Sequence, residues 1–132
     1  SVIATSVTRN YSRLAAQGGV WIPTKVTIGY DTPWRQVKAM LMLAADHTDG
    51  ILKEPAPRVL QTALMDYYVE YTLLVGLVTP SAKIVTMDGL HGNIQDVFNE
   101  YGVQIMSPNY RGDPEAPKIV PKEKWFEPPA VR

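Results

Sequence analysis

The apolar positions change period several times along the chain, and each change marks an expected element. Val2, Ile3 and Val7, interspersed with Thr5 and Thr8, favour extended backbone. A flexible "AAQGG" separates this first strand from a second β-rich run, Thr24 to Tyr30. Then the period lengthens. Trp34, Val37, Met40, Leu41 and Ala44 recur at helical spacing and predict one buried helix face. Thr32 suits the N-cap, Pro33 the first helical position and Gly50 the stop. The stretch "RVLQTALMDYYVEYTLLVGLV" returns to period two and predicts two strands joined by a tight hairpin at Met65-Asp66. In the second of them Tyr67, Val69, Tyr71, Leu73 and Val75 share the more apolar face, which should face the core, and Tyr68, Glu70, Thr72 and Leu74 share the other.

A second helix is expected from about Ser81 to Tyr101, with Leu90, Ile94, Val97, Phe98 and Tyr101 buried. Gly89 and Gly92 weaken it by about 1 kcal/mol each against alanine. Gly102 closes it, and "VQIM" returns as a short strand. Residues 24–106 therefore read β-α-β-β-α-β. That is the order of a ferredoxin-like α+β sandwich, an antiparallel four-stranded sheet with both helices on one face. The first strand is left over and needs a partner for its backbone. At the other end, residues 107–132 hold six of the eleven prolines, Pro108, Pro114, Pro117, Pro121, Pro128 and Pro129, so an extended tail is expected. The division is residues 1–19 as strand plus link, 20–106 as the α+β domain, and 107–132 as the tail.

Composition narrows the function classes. The chain has 132 residues, 13 basic against 13 acidic, and no cysteine. A neutral chain lacks the electrostatic footprint of a nucleic-acid or anionic-membrane binder. Without cysteine there is no disulfide framework or thiolate metal site. No apolar run approaches the roughly 20 residues of a membrane span, and no signal peptide is seen, so the chain as given is expected to be soluble.

Candidate chemistry is sparse. His47, at a helix end between Asp46 and Asp49, reads as a capping or solvated residue, and His91, on the second helix, as a surface or interface residue. Neither has a second histidine at metal-ligand spacing. No phosphate-binding glycine loop, nucleophile elbow or paired carboxylate is recognisable, so no catalytic residue, metal or cofactor is expected. Tyr67, Tyr68 and Tyr71 could stack bases, as central-strand aromatics do in RNA-recognition domains. Asp66 and Glu70 beside them would repel phosphate, and packing is the preferred reading.

Three long segments in fixed order, "VTIGYDTPWRQVKAMLMLAA", "EPAPRVLQTALMDYYVEYTLLV" and "LHGNIQDVFNEYGVQIMSPNY", resemble the carboxy-terminal cytoplasmic region of small-conductance mechanosensitive channels, the MscS family. The resemblance spans about residues 1–112. It supplies a partner for the first strand. Family members carry an Sm-like β domain whose last strand typically ends in "NYS", here Asn10-Tyr11-Ser12, so "SVIATSVTRNYSRL" is similar to the final strand of a truncated β domain. The link "AAQGGVWIP" and the helix glycines Gly89 and Gly92 depart from the family pattern locally.

The resemblance implies a non-catalytic role. Such channels open under membrane tension and release solutes. Seven copies of the cytoplasmic region self-associate into a hollow cage with side portals, which ions and small solutes cross before the pore. The membrane would be engaged only through missing upstream helices, placing the full-length protein in the inner membrane and this part on the cytoplasmic side. Arg9, Arg13 and Lys25 are the portal-lining candidates, since no acidic residue precedes Asp31. The alternative is a ferredoxin-like, small-molecule-binding regulatory domain.

Overall fold

The computed structural model describes residues 20–106 and 118–131. The expected first strand and the link up to Gly19 lie outside the described residues.

Three strands and two helices build the domain: β1 (Ile22–Gly29), α1 (Trp34–Asp46), β2 (Arg58–Leu64), β3 (Tyr68–Val75) and α2 (Lys83–Glu100). The strands form one antiparallel sheet in the order β1-β3-β2. Ile28 stands opposite Val69, Val26 opposite Tyr71 and Ile22 opposite Val75, so these residues share the face that meets the helices. From α1, Val37, Met40, Leu41 and Ala44 descend onto that face. Leu90, Ile94, Val97 and Phe98 do so from α2, giving one continuous core with Ile28, Tyr71, Leu73 and Val75. Central β3 is covered on both sides. Behind it, Leu74 packs with Trp21, Leu52 and Leu60 in a smaller second cluster.

The sheet is smaller than the sequence predicts. The "VQIM" segment makes no fourth strand among the described residues; it meets β1 through an isolated antiparallel bridge, Ile28 to Ile105. The Met106 N–H donates to the Thr27 carbonyl at 2.7 Å, and the Thr27 hydroxyl donates to the Met106 carbonyl. The physical reason is length. Only four residues separate Gly102, which reverses the chain at φ +70°, from the Ser107-Pro108 dipeptide, and proline cannot donate to a ladder.

Four residues at element ends also depart from expectation. Trp34 is 40% exposed rather than buried. As the first residue of α1 it carries Arg35 and Lys38 over its ring, at 4.2 and 5.1 Å from the centroid. Tyr67 is exposed because β3 begins at Tyr68, so strand alternation does not reach it. Tyr101 is exposed because it caps α2 just before the Gly102 turn. Pro33, not Thr32, occupies the N-cap of α1, with extended backbone at ψ 137°. The start of α2 is also later than expected, after a 3-10 turn at Pro80–Ala82. Gly50 lies beyond the end of α1, which His47 caps.

The tail residues 118–131 are not wholly extended, since Lys122–Lys124 form a 3-10 turn. They lie along the end of α2. Asn99 accepts from the Val120 N–H at 3.1 Å, Gln104 from the Lys118 N–H at 3.1 Å, and Lys122 reaches Glu100 at 3.2 Å.

Candidate functional site

Of the three portal candidates, only Lys25 lies within the described residues; Arg9 and Arg13 do not. Lys25 sits on β1, opposite Thr72, with its side chain largely in solvent. Antiparallel pairing also places Glu70 opposite Thr27, one diagonal step away. The result is an ion pair of 3.7 Å between Lys25 and Glu70, which reading the chain linearly did not anticipate. Such an exposed pair is worth at most about 1 kcal/mol, but the Glu70 charge offsets part of the positive field that Lys25 alone would project.

Thr24, next along β1, points to the helix side and shares a hydrogen bond of 3.3 Å with the His91 imidazole. Lys83 and Met87 from α2 line the same groove as Thr24, Lys25 and His91. His91 thus joins helix to sheet. His47 caps α1: its N–H donates to the Leu43 carbonyl at 3.0 Å. The Asn93 amide donates both to the His47 carbonyl, at 3.3 Å, and to the Thr48 hydroxyl, at 2.8 Å, tying the end of α1 to α2. Both histidines therefore have structural work at element junctions.

The tyrosines do not make a base-stacking platform. Tyr71 is 1% exposed within the helix-side core, and burial pushes its hydroxyl pKa above 10.0. Tyr68 is buried on the opposite face. Tyr67 alone of the three is open, and it stands with Tyr30, Asp31 and Asp66 in a cleft where the β1–α1 loop meets the β2–β3 turn.

The family profile described as "Mechanosensitive ion channel MscS, C-terminal" matches residues 22–105, more than half of the 132 residues. The chain belongs to the MscS mechanosensitive channel family. Its matched segment begins at the first residue of β1 and ends at Ile105, the residue bridged to β1. A search of curated proteins returns no match. None of the described helices of this MscS-family chain is long and apolar enough to cross a membrane.

Proposed function

We propose that this chain is the cytoplasmic cage domain of an inner-membrane mechanosensitive channel, with a non-catalytic role in subunit assembly and in the side portals. The observation that carries the reading is the MscS C-terminal match over the whole α+β domain. The ferredoxin-like arrangement is part of the proposal. Adding the bridged segment around Ile105 to the outer edge of β1 extends the order β1-β3-β2 to that of a four-stranded ferredoxin-like sheet, with both helices on one face.

Self-association, for which we expect seven copies in the assembled channel, is supported by apolar side chains exposed among the described residues. Val78, Ile84 and Val85 are exposed by 60%, 85% and 75% around the start of α2. Apolar side chains left in solvent this close in sequence would suit burial against a second copy. The expected assembly is measured by native mass spectrometry of the full-length channel; a monomer or dimer would refute the cage.

Arg9, Arg13 and Lys25 would border a portal and favour anions within a Debye length of about 8 Å. Lys25 is partnered by Glu70, which lessens its own share of the effect. In the full-length channel under a salt gradient, Arg13→Glu with Lys25→Glu should move the reversal potential toward cation selectivity, and Lys25→Glu alone should move it less. An unchanged potential with normal expression and opening would remove these residues from the ion path.

A further inference from the structure

The cleft between the β1–α1 loop and the β2–β3 turn has the chemistry of a cation receptor. It holds about 450 Å³ and is lined by Tyr30, Asp31, Asp66, Tyr67, Gln104 and neighbouring backbone. That volume falls within the ~300–1,000 Å³ typical of small-molecule sites. Two of its lining side chains are aromatic, and one of them is held in place. Tyr30 is 54% exposed, yet its hydroxyl donates to the Met65 carbonyl at 2.6 Å, which pins the ring beside the turn. Tyr67, 55% exposed, lines the cleft from the turn itself.

Among the described residues, Asp31 and Asp66 make no ion pair and no Lys, Arg or His lines the cleft. Arg35 and Lys38, the first cations after Asp31 in sequence, lie over Trp34 instead. Gly29 admits this arrangement: a Cβ there would stand 2.9 Å from the Asp31 carboxylate oxygen, so the carboxylate rests against bare backbone. Two negative charges and two aromatic rings favour the same kind of ligand, because a ring face is itself electron-rich. A divalent metal fits poorly. Calcium wants about six to eight oxygens, and the described residues hold no group of three acidic or histidine side chains able to cage a metal.

We propose that this cleft binds a small organic cation of the guanidinium class, its planar fork against the Asp31 and Asp66 carboxylates and its face on Tyr30 or Tyr67. Guanidinium suits both halves of the site, since it pairs with carboxylates through parallel hydrogen bonds and stacks on aromatic faces. The proposal goes beyond the channel role. Its test needs neither assembly nor a membrane, so it succeeds or fails separately.

The experiment is a titration of the whole chain with methylguanidinium chloride, followed by backbone amide NMR, beside sodium chloride at equal ionic strength and calcium chloride. Saturable shifts confined to Tyr30–Thr32, Asp66–Tyr67 and Gly102–Gln104 are expected with methylguanidinium alone. Asp66→Asn and Tyr67→Leu lie in a solvent-facing turn, and each should weaken binding at least about threefold with the rest of the spectrum unchanged. If either variant misfolds, Asp31→Asn takes its place. Shifts matched by sodium chloride, shifts spread over the surface, tighter binding of calcium, or an affinity unchanged in the folded variants would each overturn the site.

Discussion

Gly50 and Gly102 both have positive φ, +92° and +70°, yet alanine should cost very different amounts at the two. The backbone cost is common to them. An L-residue in left-handed backbone loses about 1–2 kcal/mol, partly offset by the roughly 0.4–1 kcal/mol that alanine removes from unfolded-chain entropy. At Gly102 that is all, because an added Cβ would meet nothing within 4 Å. Gly102→Ala should therefore destabilise by about 0.5–1.5 kcal/mol.

At Gly50 the added Cβ would stand 2.9 Å from the Thr86 hydroxyl and 3.3 Å from its methyl. Thr86 is a buried residue of α2, and it cannot swing aside without disturbing the packing of that helix. Overpacking of this kind costs about 1–3 kcal/mol, so Gly50→Ala should lose about 2–4 kcal/mol in all. Urea denaturation followed by circular dichroism measures both variants. A double-mutant cycle with Thr86→Ala isolates the contact, because shortening Thr86 relieves the clash but leaves the backbone strain. A coupling of at least about 1 kcal/mol is expected. Equal losses for the two glycines, or zero coupling, would show that the turn after α1 does not rest on α2.

Two further stability measurements probe α2. Phe98 is 1% exposed in the main core, so Phe98→Ala should cost about 3–5 kcal/mol in chemical denaturation; a loss under about 1 would mean its face is misassigned. Gly92 lies in the interior of α2 with nothing within 4 Å of an added Cβ, so Gly92→Ala should raise stability by up to about 1 kcal/mol, and a decrease would mean that another surface covers this position.

The period of the apolar residues made most of the fold legible. Val37, Met40, Leu41 and Ala44 in α1, and Leu90, Ile94, Val97 and Phe98 in α2, are all buried. Periodicity failed where an element ends. It assigned Trp34, Tyr67 and Tyr101 to the core because each continues an apolar pattern by one step. Tyr67 and Tyr101 lie one residue outside β3 and α2, and Trp34 is the first residue of α1, at the open end of the helix. The second face of β3 was likewise under-read, since nothing local predicts that Trp21, Leu52 and Leu60 converge on Leu74.

Charge is harder to read than apolarity because it acts between residues distant in sequence. Arg9, Arg13 and Lys25 look like an uninterrupted positive run along the chain, but antiparallel pairing brings Glu70 to Lys25. The same topology explains why no paired carboxylates are recognisable along the linear chain. Asp31 and Asp66 are separated by the whole of α1 and β2, and they line one cleft only because β1 and β3 lie side by side and the Tyr30 hydroxyl reaches Met65. One sheet register thus gives a partner to a cation that looked free and collects two carboxylates that looked scattered. A ligand for this domain is therefore better sought at the acidic, aromatic end of the sheet than at the basic residues near its start.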